Sequence, residues 1–100
     1  MDKYHKYYVY ILTNIFKPVL YIGVTNNLEK RLSQHKYDAM TEQMSFAERY
    51  KCVYLLYFEE FQWVTQAIQR EKELKKWGRP KKLALIKSQN PNLDFLNHWD

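Results

Sequence analysis

Four kinds of side chain in this sequence carry chemistry, and their spacing decides whether they can act together. Phenols sit in two tyrosine-rich segments, Tyr7-Tyr8-Val9-Tyr10 and Tyr21-Ile22-Gly23. Arg31 and His35 stand four residues apart, and Glu71 lies in the charged stretch 63–77. At about 100° per residue on a helix, Arg31 and His35 share a side with Leu28 and Leu32. By the same count Glu71 falls inside the stripe of Val64, Ala67, Ile68 and Leu74, while Glu73 points the opposite way. A carboxylate on an apolar stripe has to be paired, protonated or bound to a metal. A phenol, a guanidinium, an imidazole and a carboxylate in one pocket would supply a proton acceptor, a phosphate-binding fork and a ligand for a hard cation. That is equipment for phosphodiester hydrolysis. Each residue also has an ordinary structural reading. Strand tyrosines pack, a core histidine is commonly hydrogen-bonded, an arginine can snorkel, and Arg31 and Glu71 could neutralise each other.

Such a set needs a scaffold. Residues 6–13 (KYYVYILT) and 19–24 (VLYIGV) are rich in aromatic and β-branched residues and read as strands. The turn chemistry of 14–18 (NIFKP) joins them as a hairpin. Alternation puts Tyr8 and Tyr10 on one face and Tyr7 and Val9 on the other. Gly23 allows close backbone approach or a bulge. A helix is expected over about 27–36, with Asn26 as N-cap and Glu29 reaching back in a capping box. Residues 37–50 suit a short helix or a loop. Residues 51–60 (KCVYLLYFEE) read as a third strand whose continuous apolar run predicts burial on both faces and a central position. Residues 63–77 read as a helix ended by Gly78, and Pro80 opens another over 80–88. Asn90-Pro91 marks a turn, with a short helix expected around 93–96. Cys52 reads as a buried strand residue, and Trp63 and Trp77 as packing at helix ends. The expected fold is α+β, a small three-stranded sheet with helices on its faces.

With 100 residues and 12.3 kDa, the chain is expected to form a single domain over 1–100. No segment approaches the roughly 20 apolar residues of a membrane span. The start of the chain does not read as a signal peptide, so the expected compartment is cytoplasmic. A lone cysteine excludes an intrachain disulfide and a cysteine-based zinc site. The formal net charge of +5 is uneven, with +4 over 1–36 and +6 over 66–87 against −3 over 37–65. Such a distribution suggests a basic face and a polyanionic partner. Lys75, Lys76, Arg79, Lys81 and Lys82 are the candidate phosphate contacts, and they read equally well as solubilising charge.

Tyr8-Val9-Tyr10 followed by Tyr21-Ile22-Gly23 resembles the paired signature of GIY-YIG nuclease domains. The likeness continues through Thr25, Asn27-Leu28, Arg31-Leu32 and His35 to Arg70-Glu71-Lys72 and Asn90-Pro91, over nearly the whole chain. It is nearest to the small stand-alone bacterial proteins of that superfamily. The resemblance implies a three-stranded antiparallel sheet flanked by helices. It also implies a metal-dependent endonuclease acting on DNA at a single-metal site, or a non-catalytic nucleic-acid-binding module on the same fold. In the enzymatic case Glu71 would ligate one Mg²⁺ or Mn²⁺ ion. Arg31 would hold the scissile phosphate. Tyr10 or Tyr21 would accept a proton from the attacking water, with His35 assisting, and Asn90 would correspond to the family's late asparagine. A phenol's ordinary pKa of about 10 makes it a poor base at neutral pH, so a nearby cation and Arg31 would have to favour the phenolate. The sequence departs from the family in carrying Tyr8 for the first motif's glycine, and Val24 where some members carry lysine. It also lacks room for the separate DNA-binding domain of the larger nucleases. Affinity would then rest on the basic segments, on shape, or on a protein partner that supplies specificity.

Overall fold

The computed structural model describes residues 6–40 and 52–97. In chain order the elements are β1 (Tyr7–Thr13), β2 (Leu20–Thr25), α1 (Leu28–Met40), β3 (Tyr54–Phe61), α2 (Val64–Lys76) and α3 (Arg79–Gln89). β1 pairs antiparallel with both other strands, so the sheet order is β2-β1-β3. The period-2 pattern of β1 sends Val9 and Ile11 to one face and Tyr10 and Leu12 to the other. On the first face they meet Ile22, Ala67 and Leu74 of α2 and Ile86 of α3. On the second they meet Leu32 of α1, Cys52 and Leu55. The result is an α+β sandwich with the sheet between α1 and the α2–α3 pair. No described helix is long and apolar enough to cross a membrane.

The central strand is β1, not the apolar segment 51–60 as expected. β3 lies at the edge, yet Leu55, Leu56 and Tyr57 are all buried. Two features explain this. A bulge between the pairs Ile11↔Tyr57 and Leu12↔Leu55 leaves Leu56 as an extra residue, so β3 buries consecutive side chains. The segment after α3 then covers its outer edge. Asn97 accepts a hydrogen bond from the Leu55 amide (2.6 Å) and donates to the Val53 carbonyl (2.7 Å). The Leu96 amide donates to the Leu55 carbonyl (2.7 Å), and the Asn90 side-chain amide donates to the Leu56 carbonyl (3.0 Å). This segment is irregular rather than the short helix expected around 93–96, with Leu93 at φ 53°.

Other boundaries shift for local reasons. The cap of α1 is Asn27, one residue later than expected, because its Oδ1 accepts from the Lys30 amide (3.0 Å). That register places Lys30 at N3 and removes Glu29 from a capping box. Thr25 supports the cap by accepting from the Asn27 amide (3.1 Å). α1 continues to Met40, beyond the expected end at 36, and the rest of the ambiguous stretch, 41–50, lies outside the described residues. Trp77 packs against the core as expected, whereas Trp63 is exposed at the N-cap of α2. Cys52 is buried, just before β3 begins.

Candidate active site

The register of the hairpin builds the site. Tyr10 of β1 lies opposite Gly23 of β2, and its ring occupies the space a side chain there would take. A Cβ on Gly23 would come within 2.5 Å of Tyr10 Cζ and Oη. The absent side chain lets the Tyr10 ring cross β2 toward α1, where its hydroxyl shares a 3.0 Å hydrogen bond with His35 Nε2. Arg31 Nε donates to the same hydroxyl over a long 3.4 Å. Tyr21 stands beside this group, its ring centroid 5.5 Å from that of His35 and 6.4 Å from that of Tyr10. The predicted i, i+4 pairing of Arg31 and His35 on one side of α1 is therefore realised around a single phenol.

Exposure divides the cluster by access. Tyr10 is only 1% exposed and His35 only 2%. Tyr21 is half-buried and Arg31 is exposed. The face offered to solvent is thus a phenol and a guanidinium, held from behind by a buried phenol–imidazole pair.

Glu71 lies elsewhere. It is on α2, which packs on the opposite face of the sheet from α1, and its carboxylate pairs with Lys75 at 3.5 Å rather than with Arg31. Its side chain is 21% exposed against 54% for Glu73, in the sense that the wheel predicted. The buried stripe of α2 is narrower than expected, however. Ala67 and Leu74 are buried, whereas Val64 and Ile68 are exposed. Arg70 and Glu71 flank this stripe on opposite sides, since adjacent residues stand about 100° apart. Arg70 reaches β3, which leaves Glu71 on the flank toward β2. As a metal ligand, Glu71 fits the donor chemistry of a hard cation that takes one carboxylate from the protein and the rest from water and substrate phosphate. Among the described residues no group of three or more His, Cys, Asp or Glu forms a closed cage.

The Arg70 flank carries a network that the sequence reading missed. Arg70 grips Glu59 of β3 with two hydrogen bonds, Nε to Oε1 at 2.9 Å and Nη2 to Oε2 at 3.0 Å. It also bonds Glu73, and Tyr57 donates to Glu59. Burial would raise the Glu59 carboxyl, but hydrogen bonds from Arg70 and Tyr57 outweigh it and hold the group below its ordinary value. Burial and the bond to Glu59 push the Tyr57 phenol far above its ordinary range. The Arg70 guanidinium lies 5.2 Å from the Trp77 ring centroid. The available signal was an acid interrupting the apolar run of β3 and an arginine bordering the apolar stripe of α2.

The basic candidates fall into different environments. Lys75 is tied to Glu71, Lys76 is exposed on α2, and Lys81 lies 4.2 Å over Trp77. Lys82 is half-buried in the first turns of α3. Arg79 is engaged within the fold, its guanidinium donating to the carbonyls of Pro18 (2.7 Å) and Lys17 (2.9 Å). Asn90 is buried, donates to the carbonyls of Leu56 and Asp94, and accepts from the Asp94 amide. Its amide is committed to backbone, where it acts as a clasp on β3.

A family model described as the GIY-YIG catalytic domain matches residues 6–84, from the start of β1 into α3. The chain belongs to the GIY-YIG family. The membership ties it to nuclease domains, and the Tyr10, Tyr21, Arg31 and His35 cluster falls within the matched GIY-YIG region. Its relatives include a UPF0213 protein of Syntrophus aciditrophicus, 40% identical over 89 residues covering 86% of this chain and 94% of that one. Another from Clostridium perfringens is 40% identical over 83 residues, covering 83% and 85%. The solution structure of a UPF0213 protein from Bacillus halodurans shares the fold, with TM-score 0.55 at 24% identity over 87% of this chain and 88% of that chain.

Proposed function

We propose that this GIY-YIG domain is an endonuclease that hydrolyses DNA phosphodiester bonds with one bound Mg²⁺ or Mn²⁺ ion. The observation that carries the reading is the Tyr10–His35–Arg31 cluster, which leaves an exposed guanidinium beside the accessible phenol of Tyr21. Arg31 binds the scissile phosphate and stabilises charge that develops on it. Tyr21, being accessible, orients the attacking water and takes its proton. Tyr10 is too buried to meet that water. It acts as a positioning residue, accepting from Arg31 and bonding His35 so that both stay in register. Glu71 would hold the cation, which when bound would supply Lewis-acid charge to the phosphate. The substrate strand runs along the β2 edge, against which α2 packs. Lys75, Lys76, Lys81 and Lys82 contribute phosphate contacts along the basic half of the chain.

The alternative is a nucleic-acid-binding module without catalysis. The separation of Glu71 from the phenol–guanidinium cluster and its pairing with Lys75 favour it. One assay distinguishes the two. Nicked, branched, single-stranded and plasmid DNA are incubated with Mg²⁺ or Mn²⁺ and wild type, Arg31→Ala or Glu71→Ala. Cleavage lost in both folded variants is the expected result. Cleavage that survives Glu71→Ala, or binding without any cleavage by wild type, overturns the enzymatic reading.

A further inference from the structure

The tip of the β1–β2 hairpin exposes what most surfaces hide. Phe16 is 85% exposed and Ile15 is 53% exposed, side by side at the end of the turn. The next residue, Lys17, has φ 66°, a left-handed conformation that costs a non-glycine residue of order 1 kcal/mol. This conformation is held from several sides. The Lys17 amide donates to the Asn14 carbonyl at 3.0 Å, and Thr13 Oγ1 donates to the Val19 carbonyl at 2.8 Å across the hairpin stem. The Arg79 guanidinium spans the carbonyls of Lys17 and Pro18, and Lys17 Nζ lies 5.1 Å from the Phe95 ring centroid. The fold therefore fixes the turn firmly while leaving its two apolar side chains outside the core.

We infer that this tip is a stacking wedge for nucleic acid, with Phe16 as the ring and Ile15 as its apolar shoulder. The charge around it selects the partner. Lys17 lies within the turn and Arg79 stands at its base, so the approach is cationic and suits a phosphate backbone. Apolar side chains inserted at a base step are a recurrent way to grip or open a nucleic acid, and aromatic rings stack on exposed bases of any identity. A rigid tip can do this at little ordering cost. Unstacking is easiest where the duplex is already interrupted. The preferred ligand is thus DNA with a nick or a single-strand junction, whose open step receives Phe16. The inference rests on the nuclease reading above and refines its substrate. Leu12 and Tyr21 are opposite one another only one pair from the end of the ladder, so the tip stands within roughly 15 Å of Tyr21.

The test measures binding apart from cleavage. Wild type, Phe16→Ala and Phe16→Trp are titrated, without divalent cation, into intact duplex and into the same duplex carrying a nick flanked by 2-aminopurine. Wild type should bind the nicked duplex more tightly and change the probe's fluorescence. Phe16→Ala should lose about tenfold in affinity for the nicked DNA, remain within about twofold on intact duplex, and abolish the fluorescence change. Phe16→Trp should restore both, and melting temperatures should match because residue 16 lies outside the core. Equal binding of nicked and intact DNA by wild type and Phe16→Ala overturns the wedge. If Arg31→Ala then still abolishes cleavage, the nuclease reading stands without it. A change of oligomeric state on Phe16→Ala, with DNA binding unmoved, overturns the wedge in favour of self-association. Absence of any DNA binding by wild type overturns both.

Discussion

The two sides of the sheet hold polar clusters of similar composition and opposite organisation. On the α1 side, Tyr10, His35 and Arg31 form a chain of hydrogen bonds that ends at an exposed guanidinium, with the half-buried ring of Tyr21 beside it. At the α2–β3 corner, Tyr57, Glu59, Arg70 and Glu73 close on one another, with two carboxylates sharing one guanidinium. The first arrangement brings its cation to the solvent-facing side, where an incoming anion can meet it. The second uses its cation up in a bidentate grip on a buried carboxylate. Phenol, arginine and burial are common to both, so residue type alone does not mark a site. What separates them is whether the guanidinium faces solvent or is gripped by carboxylates.

The contrast breaks most sharply by mutation. Arg31→Ala should reduce DNA cleavage about 10²–10³-fold, and Arg31→Lys should recover little of it, because a point charge does not reproduce a planar fork. Urea unfolding of Arg31→Ala should stay within about 1 kcal/mol of wild type, since Arg31 is exposed and its bond to the Tyr10 hydroxyl is long. Arg70→Ala should do the reverse. It strands a mostly buried carboxylate and should cost about 3 kcal/mol of stability, while cleavage per folded molecule is retained. Combining Glu59→Leu with Arg70→Met should lose less than either single change. Gly23→Ala should cost about 1–3 kcal/mol, because the added methyl overlaps the Tyr10 ring. It should also lower cleavage, which a stability effect elsewhere in the sheet would not do once folding is complete. The smallest effect concerns pH. The folded Glu59 carboxyl titrates below its ordinary 4.5, so its contribution is present above that value and is lost as pH falls through the lowered one. Urea midpoints measured from about pH 6 down to about pH 3 should therefore decline, and Glu59→Gln should flatten the slope.

Much of the architecture could be read from residue pattern. The hairpin, the two helix assignments after β3 and the pairing of Arg31 with His35 followed from periodicity, because each depends on neighbours within a few residues. The edge position of β3 was hidden because its cover is neither helix nor strand. Asn90 and Asn97 supply it through side-chain amides that no hydrophobic pattern records. The sharing of one side of α1 by Arg31 and His35 could be read from the helix wheel, but the register that sets Gly23 opposite Tyr10 and sends that ring toward them could not, since a five-residue turn over 14–18 would have paired Tyr10 with Ile22. The place of Glu71 was only half legible. Its wheel position gave its burial, but not the sheet face that α2 would take. Arg79 read as a phosphate contact or as solubilising charge, because nothing in the sequence marks the turn that its guanidinium holds.

The amides of Asn90 and Asn97 also set how this chain can be shortened. They stand where a further strand would hydrogen-bond to Leu55 and its neighbours. Ending the polypeptide at Gln89 would uncover a ribbon of donors and acceptors on an apolar strand, an invitation to templated assembly between molecules. Such a fragment is expected to fail by growing into fibres or swapped oligomers rather than by simple melting.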